Sequence, residues 1–192
     1  SGVDQSTPVT SSVCQTGGLG WNGSATPTVA SANLTTSPNQ LVIAGVETYA
    51  GGPTTITEDA SLSNIYKVDG GSSYGWSTAA GSSLEADATS ETITYTLSHY
   101  WPWTVVGLAL KPSQQVSGTA FDAPIFESTN VSGGVPYQNN GVTSMSYSFN
   151  VASVTDPLLV TTVSWNGASS VSSVTFNGSP MTLACQDGGL SN

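Results

Sequence analysis

The chain has 192 residues, only 7% of them charged, against about 25% in an ordinary soluble domain, and it carries a net charge of −10. Two lysines (Lys67 and Lys111) and no arginine face twelve acids, so no basic patch can form, which excludes nucleic acid and anionic membrane surfaces as partners. The 38% hydrophobic content is too high for a disordered chain, while the longest apolar run, residues 105–110, is too short to cross a membrane.

No window repeats apolar residues at i, i+3, i+4 and i+7, and Gly, Pro, Ser, Thr and Asn interrupt every long one, so no helix is expected. The first strand signal is QLVIAGVETY at 40–49, bounded by Ser37-Pro38-Asn39 and Gly51-Gly52-Pro53. At 91–98, Ile93, Tyr95 and Leu97 alternate with Thr92, Thr94 and Thr96, the pattern of a half-buried strand. A more continuous apolar strand follows at 103–111 and stops at Pro112. The polar run PSQQVSGT then reads as a linker. Strand signals resume at 124–128, at 143–151 (Met145, Tyr147 and Phe149 alternating with serines), at 157–165 and at 171–176. Asn177-Gly178 marks a hairpin into 180–184, because this pair tolerates the positive φ of primed turns. Strands at this spacing, with turn residues between them, indicate an all-β sandwich rather than alternating strands and helices. The expected organisation is one sandwich at 1–112, a linker at 113–120 and a second sandwich at 121–192.

The segments 37–57 and 154–175 each run turn, apolar strand, aromatic, Gly-containing loop and Ser/Thr-rich strand, which suggests a repeated sandwich theme. The stretch LLVTTVSWNGASSVSSVTFNGSPMTL resembles the first half of a β-sandwich repeat domain of large bacterial and archaeal secreted surface proteins and filaments. The opening SGVDQSTPV and the later TYTLSHYWPWTVVGLALKP resemble its second half. The resemblance implies immunoglobulin-like or jelly-roll modules of adhesins and filaments, without catalysis. Here the halves stand in inverted order, second-half motifs first. Residues 121–192 alone offer about five strands with unpaired edges, so strand exchange between subunits is expected to complete the second sandwich.

Cys14 and Cys185 stand near opposite ends, with no Cys-x-x-Cys and a single histidine. That pattern argues against a metal or redox site and for a disulfide formed in an oxidising compartment; whether it closes within one chain or joins neighbours is left open. Asn22, Asn33, Asn130 and Asn177 each begin an Asn-x-Ser/Thr sequon; in an archaeal or eukaryotic secreted protein they would carry glycans that replace the missing charges as a solubilising layer. Tyr100, Trp101 and Trp103 form an aromatic cluster that reads as a core plug or, alternatively, as a stacking platform for a sugar ring. Gly71-Ser72-Ser73-Tyr74-Gly75 matches the spacing of a nucleophile elbow but lacks the helix that must follow it. His99 has no evident nucleophile and orienting carboxylate beside it. The acids Glu58, Asp59, Glu85, Asp87 and Asp187 do not form a calcium-loop pattern, nor does any pair suggest glycoside hydrolysis. Lys67 and Lys111 read as strand-end residues.

The sequence therefore indicates a secreted or cell-surface protein with no catalytic residues, cofactor or metal. The first functional expectation is a structural subunit of an extracellular filament, pilus-like fibre or surface array, with other copies of itself as partners. The alternative is a carbohydrate-binding or adhesive module, with surface glycans as partners and Tyr100, Trp101 and Trp103 as its platform.

Overall fold

The computed structural model describes residues 3, 4, 6–18, 26–50, 54–69, 76–112, 144, 146, 158–161, 163 and 170–186. Every regular element among them is a strand. Eight lie between the N-terminus and Pro112: β1 (Val9–Gly17), β2 (Thr28–Thr35), β3 (Leu41–Ala50), β4 (Ile56–Glu58), β5 (Ser63–Asp69), β6 (Trp76–Glu85), β7 (Ser90–Leu97) and β8 (Trp103–Leu110). Two short ones, β9 (Thr175–Phe176) and β10 (Ser179–Pro180), form a hairpin near the C-terminus.

The eight strands make two antiparallel sheets, one ordered β1-β8-β3-β6-β5 and the other β2-β7-β4. Between β1 and β5 the chain changes sheet at each step, so that β1 pairs with β8, β2 with β7 and β3 with β6. This nested order is that of a jelly roll, the second of the two expected sandwich types. In an immunoglobulin sandwich the first two strands would share a sheet. The remaining jelly-roll pair would be β4 with β5, but β5 joins β6 instead. Rolling the chain this way brings the two ends of the sandwich together: Val3 bridges Pro112, and Asp4 N–H donates to Lys111 O.

Period-two alternation explains which faces meet. Val42, Ala44, Val46 and Thr48 of β3 point inward with Ala80 of β6 and with Val105 and Ala109 of β8. From the opposite sheet come Ala30, Ala32 and Leu34 of β2, Ile56 of β4, and Ile93, Tyr95 and Leu97 of β7. The alternation read at 91–98 is thus the inner register of β7, with Ile93, Tyr95 and Leu97 fully buried. Many core side chains are small, so the sheets must fit closely. They do so at Gly107, where a Cβ would collide with Ile93 Cδ1 of the opposite sheet and press on Val13 Cγ1. Tyr95 Oη and Ser82 Oγ are the core's weak point in polar terms, since both are buried without a hydrogen bond. Burial pushes the Tyr95 hydroxyl up to about 12, and the neighbouring Ser82 partly offsets this, so it stays neutral at any ordinary pH.

The C-terminal part departs from the sequence reading in extent. Residues 158–161 and 163 lie in no strand, and the strand expected at 171–176 is reduced to Thr175–Phe176. A strand needs a partner for its backbone groups, and among the described residues the hairpin's two strands pair with each other. Its turn is the expected one, with Asn177 at φ 48° and Gly178 at φ 78°. Met181 N–H donates to Val174 O, extending the hairpin by one rung. The linker at 113–120, the strand read at 124–128 and the strand read at 143–151, apart from residues 144 and 146, lie outside the described residues.

Because a side chain at Gly107 would collide with Ile93 of the opposite sheet, Gly107→Val is expected to lower stability by about 1–3 kcal/mol through overpacking. The urea midpoint should fall while the circular dichroism spectrum stays that of a β protein. An unchanged midpoint would show that the sheets are not in close contact there.

Candidate functional site: the edge strand β1 and the C-terminal segment seated on it

Among the described residues strand β1 lies at the edge of the larger sheet, paired with β8 on one side. Its register sets Val13 opposite Gly107 on the inner face and Cys14 opposite Val106 on the outer face. Ser12 follows the outer face as well, opposite Leu108. This outward side of β1 receives the C-terminal segment. Cys14 and Cys185 form a disulfide across a sequence separation of 171 residues. Beside it Ser12 Oγ donates to Ala184 O at 3.0 Å, and Cys185 Sγ lies 3.5 Å from Val13 O. The sequence singled out both cysteines, but nothing in it marked Ser12, Val13 or Ala184. Their role follows from the strand register alone.

The other end of β1 explains the aromatic cluster. The Trp103 indole lies directly over Gly17, where any Cβ would fall inside the ring. Gly18 has a positive φ of 69° and faces the Trp101 carbonyl, again with no room for a Cβ. Thr48 Oγ1 donates to Pro102 O at 3.0 Å in the buried interior. Trp101 and Trp103 are 8% and 9% exposed, so neither presents an open ring face for a sugar, and Tyr100 is half-buried beside them. The arrangement is that of a plug closing the end of the sandwich. His99 Nδ1 is 2.9 Å from Ser98 Oγ, which also accepts from Thr55 N–H. This joins the end of β7 to the loop before β4.

The acids have local partners. Glu58 on β4 pairs with Lys67 on β5 at 2.5 Å and accepts from Asn64 Nδ2 at 2.6 Å, so it ties the two sheets along their open side. Burial pushes its carboxyl up, but the hydrogen bonds from Lys67 and Asn64 outweigh this and hold it below its ordinary range. Asp4 pairs with Lys111 at 2.8 Å where the two ends of the sandwich meet. The Lys111 contact first, then Ser6 and Thr7, hold Asp4 well below the usual carboxylate range. Asp59 is lowered by hydrogen bonds from Ser61, which close a turn. Glu91 accepts from Asp87 N–H and Ala88 N–H in the turn before β7. Among the described residues no three metal-ligating side chains gather at one point. Ser73 and Asp187 lie outside the described residues.

Of the four sequons, Asn33 is exposed on β2, where Thr92 Oγ1 donates to its Oδ1 at 2.9 Å, and Asn177 is exposed at the hairpin turn. Asn22 and Asn130 lie outside the described residues. No helix among the described residues is long and apolar enough to cross a membrane. No protein-family profile, curated protein or solved structure matches the chain.

The three lowered carboxyls set a direction for acid unfolding. Asp4, Glu58 and Asp59 bind protons less readily folded than unfolded, where their ordinary values are 3.8 and 4.5. Their stabilisation is therefore complete above about pH 5 and is lost as pH falls through about 4 and below. Urea midpoints measured from neutral pH down to pH 3 should be level at first and then drop, and Glu58→Gln should flatten part of that drop. A midpoint that rises on acidification would contradict the assignment.

Proposed function

We propose that the chain is a structural subunit of an extracellular filament, pilus-like fibre or surface array, polymerising through β-strand contacts between copies. The observation that carries this reading is the seat on β1: a sheet edge that takes a short terminal segment by a covalent bond and a backbone-directed hydrogen bond. Sheet edges present unpaired N–H and C=O groups and are natural points of strand addition. The surface chemistry supports the same reading. With 7% charged residues, a net charge of −10 and only two lysines, the outside is built from hydroxyl and amide groups, which suits long contact between like surfaces. The disulfide fits an oxidising compartment, and the proposal places the subunit outside the cell. Its role is mechanical rather than catalytic.

A carbohydrate-binding module is the weaker alternative, because its stacking platform would need Trp101 and Trp103, which are buried.

Electron microscopy of the purified full chain under oxidising conditions tests the proposal. Unbranched fibres or ordered arrays are expected, and a chain ending at Ser170, which lacks the segment seated on β1, should form none. Only monomers at every concentration, for the full chain and the truncated one alike, would overturn it.

A further inference from the structure

The contacts that seat the C-terminal segment on β1 do not depend on which copy supplies that segment. They comprise one disulfide, one hydrogen bond from Ser12 Oγ to Ala184 O, and the approach of Cys185 Sγ to Val13 O. Among the described residues strands β9 and β10 pair with each other, in a sheet separate from that of β1. The sandwich, in turn, is closed without them: β1 pairs with β8, and Val3 bridges Pro112.

The face that receives the segment is also suited to a larger contact. On the register of β1, β8 and β3, Ser12 and Cys14 share the outer face with Leu108, Val106 and Ile43. These three apolar side chains are only half-buried.

The chain length permits either connection. Residues 113–169 separate the sandwich from the 170–186 segment, and 57 residues can reach on the order of 190 Å when extended. Closing so long a loop within one chain costs entropy that grows only slowly with length, so a neighbour held close by in a fibre competes on near-equal terms.

Resting on the filament reading, we propose that this junction is swapped between copies, so that Cys185 of each subunit closes on Cys14 of the next and the fibre is a covalent polymer. Each copy then offers one seat and one donated segment. The contact is head-to-tail, and where its rotation does not close a ring it propagates without limit. Growth needs no external oxidant. A Cys185 thiolate at the growing end attacks Cys14 Sγ of an incoming subunit whose own Cys14–Cys185 bond is closed. The new S–S bond forms as the old one breaks, and the electron pair leaves on the newcomer's Cys185 thiolate, which becomes the next attacking group. Electrons and protons balance, and one thiolate per chain end suffices.

The test uses full-length chain made in unlabelled and heavy-nitrogen forms. Equal amounts are reduced, mixed, assembled and reoxidised in a glutathione buffer, then digested with pepsin for mass spectrometry of the Cys14–Cys185 peptide pair. A sample oxidised in denaturant sets the background for random pairing. With swapping, mixed-isotope pairs should be as abundant as the two uniform kinds together, and non-reducing denaturing electrophoresis should give a ladder that collapses on reduction. Fibres containing only uniform pairs would overturn the swap and leave the filament reading standing. Uniform pairs with no fibres would overturn both. Mixed pairs confined to closed dimers or rings would keep the swap and overturn the filament.

Discussion

The structure depends on the close approach of two sheets at Gly107. The Ile93 side chain occupies the space where any larger residue on β8 would place its Cβ, with Val13 and Leu34 packed around it. Where the core is lined by Ala30, Ala32, Ala44, Ala80 and Ala109, it has little side-chain volume with which to span a wider gap. Close packing at short range therefore replaces bulk, and any gap would forfeit contacts along both sheets. The β8 strand sits at this point with β3 on one side and β1 on the other. Its register then fixes everything downstream. With Val13 turned inward against Gly107, Cys14 must face outward, and the C-terminal segment is held on the outer side of β1.

The few charges stand at seams rather than across the surface. Lys67 and Glu58 join one sheet to the other, and Lys111 and Asp4 join the two ends of the sandwich. Exposed ion pairs of this kind contribute little each, so their placement matters more for which edges meet than for total stability. Neutral polar groups hold the remaining joints. Gln40, nearly buried, accepts from Ser37 N–H, donates to Thr10 Oγ1 on β1, and accepts at its carbonyl from Ala86 N–H. One residue, through its side chain and its backbone carbonyl, thus gathers the ends of β1, β3 and β6.

The sequence made the strongly alternating and apolar strands legible. β7 was readable from Ile93, Tyr95 and Leu97 at period two, and β3 and β8 from apolar, β-rich runs bounded by turn residues or proline, as was the Asn177-Gly178 turn from its demand for positive φ. Strands β2 and β6 escaped because their inward residues are Ala30, Ala32, Ala80 and Ser82, which carry too weak a hydrophobic signal to stand out among serines. β1 escaped for another reason: an edge strand with half-buried or exposed positions and two glycines at its end has no pattern of its own. The cysteines were conspicuous, but their seat was not, since it depends on a register set by pairing about ninety residues away in the chain. The aromatic cluster was visible as a cluster, and only the glycines beneath it show that its rings turn inward.

The central claim is that the sandwich from Val3 to Pro112 stands by itself and that the C-terminal segment is an addition clasped to its edge. Native-state hydrogen exchange on oxidised and reduced protein tests this most directly, because protection reports local opening free energy strand by strand. The account predicts that reducing Cys14–Cys185 releases protection in 171–186 and loosens β1, while the amides of β3, β7 and β8 exchange as slowly as before. Loss of protection throughout β3, β7 and β8 on reduction would show that the C-terminal segment is part of the core, and would contradict the account.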